Sequence, residues 1–146
     1  MAEIEHILEE FSFLDDWEDR YRYVIELGQS LEPFPEPLRT KANKVRGCVS
    51  QVWLASRVRR PAGGGEEVIE FAGDSDAHIV RGLIAILLAI YSGRSPPQIL
   101  NIDGREILSR LGLAEHLTPQ RSNGLVAMVE RIRADAAARV GAPQQA

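Results

Sequence analysis

The chain has 146 residues, of which 45% are hydrophobic and 26% charged, proportions typical of one globular domain with its own core. The formal net charge of −4 argues against nucleic acid as a partner, because phosphate binding depends on a surplus of Lys and Arg. The longest apolar run, residues 83–91, is too short to cross a bilayer, and the acidic N-terminus is unlike a signal peptide. We therefore expect a single cytoplasmic domain over residues 1–146, frayed from about residue 141, with no membrane partner.

Two amphipathic helices are predicted at the start of the chain. Residues 3–14 place apolar side chains at helical spacing, with glutamates on the other face. Asp15 or Asp16 then has the position of a helix N-cap. The second helix that follows is expected to end at Gly28 or a few residues later.

Extended segments come next, after a proline-containing loop without a sustained period. Residues 49–60 and 68–74 are rich in β-forming side chains, and the glycines between them are typical of a hairpin. We expect a third short strand at 44–46 to pair with this hairpin. Gly47 and Cys48 would then lie in a tight turn at the edge of the sheet.

Helices return in the second half of the chain. Asp74 or Ser75 is predicted to cap a helix that is apolar around most of its circumference and therefore lies at the centre. Asp103 is expected to cap a further helix, and Thr118 caps the last one. Because the strands are consecutive and the helices lie before and after them, the predicted class is α+β, with a small antiparallel sheet of about three strands flanked by helices.

Cys48 is the only cysteine, so the chain cannot form an internal disulfide or act as a dithiol redox protein. With three scattered histidines, it also offers no recognised metal-ligand spacing. A lone cysteine is most often an inert, buried hydrophobe. Here, however, Gly47 permits a sharp turn, the basic residues upstream favour the thiolate, and an apolar run follows.

Three functions are compatible with such a thiol. A sulfur carrier would attack the outer sulfur of another protein's persulfide and keep it, because no second thiol in the chain can release it as hydrogen sulfide. A small Cys-dependent hydrolase would use His78 or His116 as its base, although the chain has no local nucleophile signature. A non-catalytic binding module would use Cys48 only as a structural residue.

Three stretches, RGCVSQVWL (46–54), GDSDAHIVRGLIA (73–85) and LTPQRSNGL (117–125), together resemble the SufE family of cysteine desulfuration proteins, which includes CsdE. The resemblance extends from the N-terminal helices to the last helix. It implies a compact α+β fold with the cysteine on a loop at the edge of the sheet, and Cys48 matches the sulfur-accepting cysteine. Val49 departs from the glutamine that the family often has at this position.

The resemblance also implies a function. The protein would be a sulfur-transfer accessory protein of iron–sulfur cluster assembly rather than a free-standing enzyme. Its partners would be a SufS-type cysteine desulfurase, which it stimulates, and the scaffold complex that receives the sulfur. It would need no cofactor, since the pyridoxal phosphate belongs to the desulfurase. The choice between SufE and CsdE type, and between monomer and homodimer, stays open.

Polar or hinge-forming residues in these motifs are candidates to support the Cys48 loop. Those with charged or hydrogen-bonding side chains could tether the loop or contact the incoming sulfur, and the glycine could act as a hinge. The candidates are Gly47, Ser50, Gln51, Asp74, Asp76, His116 and Arg121. We expect the loop to shelter the thiol in the free protein and to open when the desulfurase binds.

Overall fold

The computed structural model describes residues 3–47 and 50–141, so Cys48, Val49 and the predicted tail beyond residue 141 lie outside the described residues. Along the described ranges the elements are α1 (Ile4–Phe13), α2 (Trp17–Gln29), a 3₁₀ turn (Glu36–Leu38), β1 (Val52–Arg59), β2 (Val68–Ser75), α3 (His78–Tyr91), α4 (Pro96–Asn101), α5 (Gly104–Arg110), α6 (Leu113–His116) and α7 (Pro119–Gly141). No helix in these ranges is long and apolar enough to span a bilayer. The consecutive strands between helical regions confirm the predicted α+β class.

The sheet is smaller than expected. β1 and β2 form an antiparallel hairpin, but the predicted third strand is reduced to a single bridge between Lys44 and Trp53. The Val45 N–H donates to the Val52 carbonyl at 2.9 Å. Pairing ends there because Gly47 has a φ of 90°, outside the extended region. The expectation of about three strands is therefore wrong, and the described part of the sheet has two.

Helix α3 is the centre of the molecule, with eleven of its 14 residues buried. Glycines let its neighbours approach closely. A Cβ on Gly82 would lie 2.1 Å from the carbonyl oxygen of Val24 in α2. On the sheet side, a Cβ on Gly73 would lie 2.7 Å from the Ile84 side chain. At these glycines, α2 and the hairpin therefore pack against α3 with almost no space for a side chain between them.

The start of α3 differs from the prediction that Asp74 or Ser75 caps it. Its N-cap residue is Ala77, which provides no side-chain cap, and Asp74 and Ser75 are the last residues of β2. They stay in the strand because Ser75 still pairs with Val52. The Ser75 hydroxyl accepts a hydrogen bond from the Ala77 N–H at 3.2 Å, so it stabilises the turn between strand and helix.

Helix α7 begins as predicted and fastens the segment that leads to position 48. The Thr118 hydroxyl accepts a hydrogen bond from the Arg121 N–H at 3.3 Å, which confirms the predicted N-cap. Further along, the Arg131 guanidinium donates to the carbonyls of Ala42 at 3.0 Å and Leu54 at 3.4 Å. One side chain of α7 therefore holds both β1 and the chain that approaches residue 48.

Gly82→Ala tests the close crossing of α2 and α3. At an unconstrained helix position, replacing Gly by Ala stabilises by about 0.5–1 kcal/mol. Here we expect the free energy of unfolding to fall by about 1–3 kcal/mol, because the new methyl group overlaps the Val24 carbonyl. Urea denaturation measures the change, and a variant more stable than the wild type would contradict the described packing.

Candidate functional site

The chain approaches position 48 along the edge of the hairpin. Val45 is buried and bonded to β1, whereas Arg46 and Gly47 are exposed. Gly47 has a φ of 90°, a conformation that residues with a side chain rarely adopt, yet a Cβ there would only touch Ala127 at 3.5 Å. Backbone conformation, and not lack of space, therefore requires a glycine directly before the cysteine.

After position 49, the chain is tied to the segment that follows β2. The Gln51 N–H donates to the Asp76 carboxylate at 3.1 Å, and the Asp76 N–H donates to the Gln51 carbonyl at 3.3 Å. Both residues are exposed. Asp76, one of the predicted tether residues, thus forms two hydrogen bonds with the backbone of Gln51, another candidate, which lies three residues after Cys48.

A cavity of about 200 Å³ lies beside Ser50, between α3 and the first turns of α7. Apolar side chains of α3 and α7 form one part of its wall, and polar residues from the start of α7 form another. The lining residues are Ser50, Val80, Leu83, Thr118, Gln120, Arg121, Gly124 and Met128. Of the predicted site residues, the structure therefore brings Ser50 and Arg121 to one cavity.

The electrostatics of this cavity favour an anion. Arg121 is exposed, and its guanidinium forms no ion pair with a carboxylate of the described residues. The cavity also lies at the N-terminus of α7, a 23-residue helix whose dipole places positive charge there. A cation and a helix N-terminus both favour a thiolate over a thiol. The arrangement can thus hold a sulfur anion against an apolar wall.

Asp74, the other predicted tether, binds elsewhere. Its carboxylate pairs with Arg39 at 2.5 Å and with Arg81 at 3.2 Å. The hydrogen bond with Asp74 raises the pKa of Arg39 above its ordinary value. The Arg39 guanidinium also lies 4.9 Å from the ring centroid of Trp53 and 5.3 Å from that of Phe34. Asp74 thus holds the loop before β1 against β2 and α3.

His116 lies against α2. Its ring stacks on Trp17 with 3.7 Å between the ring centroids, and its carbonyl accepts a hydrogen bond from the Tyr21 hydroxyl. His78 is exposed at the start of α3. Neither histidine is among the described residues that line the cavity beside Ser50. Nor do three or more His, Cys, Asp or Glu side chains cluster for a metal ion anywhere in residues 3–47 and 50–141.

Several residues that shape this site were not found by sequence analysis. Val80, Leu83 and Met128 read as ordinary core residues of amphipathic helices, and no local pattern marks them as cavity wall. Arg39 and Arg131 carry no motif, and their contacts with Asp74 and Ala42 span 35 and 89 residues of sequence. The apolar pattern of the two helices was the signal for Val80, Leu83 and Met128, and that signal does not separate core from site.

Similarity to known proteins extends over nearly the whole chain. The family model "SufE: Fe-S metabolism associated domain" matches residues 5–136. A SufE-like protein of Rhizobium meliloti (strain 1021) is 52% identical over 143 residues, covering 97% of this chain and 100% of the relative. A SufE-like protein of Rhizobium etli is 55% identical over 143 residues, covering 97% of this chain and 95% of the relative.

A solved structure shares the fold. The solution structure of a hypothetical protein from Thermus thermophilus matches with a TM-score of 0.73. The match covers 95% of this chain and 96% of that one, at 23% sequence identity. At this identity the likeness shows the fold alone.

Asp76→Ala tests whether the contact with Gln51 restrains the neighbouring thiol. The variant removes the acceptor for the Gln51 N–H, so we expect iodoacetamide to alkylate Cys48 severalfold faster. The free energy of unfolding should fall by no more than about 1 kcal/mol, the usual contribution of one hydrogen bond. Mass spectrometry of samples quenched over time measures the alkylation rate.

Asp16→Ala is the matched control for this experiment. Asp16 is also an exposed aspartate whose carboxylate accepts a backbone N–H, that of Glu18 at 3.0 Å, but it lies at the start of α2. This variant should react at the wild-type rate. If the two variants react equally fast, Asp76 does not restrain the loop.

Proposed function

This chain belongs to the SufE family, and from that premise we propose that it is a sulfur carrier in iron–sulfur cluster assembly whose acceptor is Cys48. The observation that carries the proposal is the position of the single cysteine. It stands between Gly47, which has a left-handed backbone, and Ser50, which lines a cavity of mixed polarity at the N-terminus of α7. Ser50 follows the cysteine by two positions in sequence, and two residues of chain span at most about 7 Å.

The transfer step requires no net redox change. The Cys48 thiolate attacks the outer sulfur of a persulfide on the donor enzyme. The sulfur–sulfur bond of the donor breaks, its cysteine leaves as a thiolate, and a new sulfur–sulfur bond joins that sulfur to Cys48. The same exchange, with Cys48 as the leaving thiolate, delivers the sulfur to the next thiol. Because this chain has no second cysteine, it cannot release the sulfur by closing its own disulfide.

The supporting residues take different parts in this proposal. Arg121 and the start of α7 stabilise the thiolate and the persulfide anion, and Ser50 offers a hydroxyl beside them. Asp76 and the Gln51 backbone hold the chain that leaves the loop, and Gly47 provides the hinge. Asp74 and His116 act at a distance, by fixing the loop before β1 and the junction between α6 and α2.

The donor in this proposal is a SufS-type cysteine desulfurase in the cytoplasm, and the recipient is the iron–sulfur scaffold complex. The pyridoxal phosphate that removes sulfur from free cysteine belongs to the desulfurase, so the carrier contributes only its thiol and a docking surface. A Cys-dependent hydrolase is less well supported. Such an enzyme needs a base within hydrogen-bond reach of the thiol, and the described lining of the cavity beside Ser50 contains no histidine.

Intact-mass measurement tests the carrier role. After incubation with the cognate desulfurase and cysteine, the wild-type protein should gain one sulfur atom that a reducing agent removes. Cys48→Ser should gain none and should fail to stimulate the desulfurase, although it folds normally by circular dichroism. A Cys48→Ser variant that stimulates the enzyme as strongly as the wild type would contradict the proposal. Ester hydrolysis by the wild type alone, lost in Cys48→Ser, would favour the hydrolase instead.

A further inference from the structure

A second cavity, of about 820 Å³, opens between α7 and the α4–α5 region. It shares no lining residue with the cavity beside Ser50. Its volume lies in the range of about 300–1,000 Å³ that is usual for small-molecule sites.

The wall of this larger cavity is mainly apolar. Leu108 of α5 and Leu125 and Val129 of α7 are buried, and all three line it. Val126 also lines it and is 40% exposed, one of four large hydrophobic side chains that stand out to solvent in the described ranges. An apolar wall in contact with water favours a ligand that displaces the water.

Arg133 supplies a cation to the same cavity. Its side chain is half-buried, and it forms no ion pair with any carboxylate of the described residues. Its Nη1 donates to the carbonyls of Leu100 and Ile102 at 3.3 Å each. Because a guanidinium carries five N–H donors, other N–H groups of Arg133 can donate to a ligand.

Beside Arg133 lies the buried hydroxyl of Tyr91, which lines the cavity. It makes no hydrogen bond of good geometry, although the Gly104 backbone and the Arg133 side chain both lie close to it. Burial raises the pKa of Tyr91, while the charge of Arg133 opposes that rise. The hydroxyl is therefore within electrostatic range of the guanidinium. Because its pKa is raised, it stays protonated at neutral pH.

Other charged residues line the rim. Asp103 and Glu130 are exposed carboxylates, and Arg105 is an exposed cation. Water and salt screen exposed charges much more than half-buried ones. Arg133 therefore determines that the cavity prefers an anion. It also has a structural role, because it caps the end of α4.

We propose that this cavity binds a small organic anion with an apolar body, whose charged group pairs with Arg133 while the apolar part packs against Leu125 and Val129. The site is independent of sulfur transfer at Cys48. Ligand charge separates this binding role of Arg133 from a purely structural one. If Arg133 were only structural, the affinity of the cavity would not depend on the charge of the ligand.

Two dyes of nearly the same shape test this proposal. 8-Anilinonaphthalene-1-sulfonate carries a sulfonate, and N-phenyl-1-naphthylamine has the same aromatic body without it. We expect the sulfonate dye to bind the wild type saturably at one site, by fluorescence titration. Amide NMR shifts should centre on residues 100–108 and 122–133. Absence of saturable binding, or shifts centred elsewhere, would overturn the proposal.

Two pairs of variants separate charge from cavity. Arg133→Met should weaken sulfonate-dye binding by about tenfold, since a charge-assisted contact is lost, and change neutral-dye binding by less than about twofold. Arg139→Met is its control on the same helix, because Arg139 pairs with Glu67 outside the cavity. Val126→Trp should fill the cavity and weaken both dyes, whereas Val140→Trp, on an exposed residue outside it, should not.

The outcomes are decisive even if Arg133→Met is unstable. Its folding is checked by circular dichroism, and if it does not fold, Val126→Trp and the wild-type NMR shifts decide, because neither alters Arg133. Equal affinities of folded Arg133→Met and Arg139→Met for the sulfonate dye would overturn the anion site. So would unchanged dye binding by Val126→Trp.

Discussion

Helix α3 has almost no polar surface, with eleven of its 14 residues buried, and this constrains every other element. A helix that is apolar on all sides has to be enclosed on all sides. Helix α2 reaches it through Gly82, and the hairpin reaches it through Gly73. Helix α7 packs its start beside α3, with Met128 facing the same cavity as Val80 and Leu83. The cavity beside Ser50 is thus the edge of this packing, where the apolar layer meets the polar start of α7.

The polar parts of the site depend on contacts that run across the sequence. Arg131 joins α7 to the chain before position 48, and Asp76 joins the chain after position 49 to the start of α3. Both segments are therefore positioned by helices that pack on the core, not by the loop itself.

Features with a local cause were predictable from the sequence. The central place of α3 follows from its composition, and the Thr118 cap follows from the chemistry of one hydroxyl and the proline after it. The third strand was predicted wrongly because strand length depends on where pairing stops, and the left-handed Gly47 stops it after one bridge. The helix-cap prediction for Asp74 failed for the same kind of reason, since β2 continues through Ser75.

The candidate site was predictable only as a set of residues, not as an arrangement. Asp76 and Gln51 belong to two different motifs, and nothing in either motif says that they bond to each other. His116 was a candidate for contact with the loop, and no local pattern indicates that its ring stacks on Trp17, 99 positions earlier. Asp74 and Asp76 are two residues apart and have similar chemistry, yet one lies in the strand and binds Arg39 while the other follows it. The direction of each side chain depends on the last paired residue of β2, which the sequence pattern does not fix.

A carrier has to hold its sulfur in transit and release it on contact, and the distribution of contacts around position 48 suits both needs. The hydrogen bonds between Gln51 and Asp76 are exposed, so breaking them leaves no buried polar group unpaired. Val45, by contrast, is buried and bonded to β1, and the contact of Arg131 with the Leu54 carbonyl is partly buried. The segment after position 49 can therefore separate at low free-energy cost while the segment before Gly47 stays in place. A partner needs to supply only a small difference in binding free energy to favour an open arrangement. The proposed hinge at Gly47 lies at the boundary between these two segments.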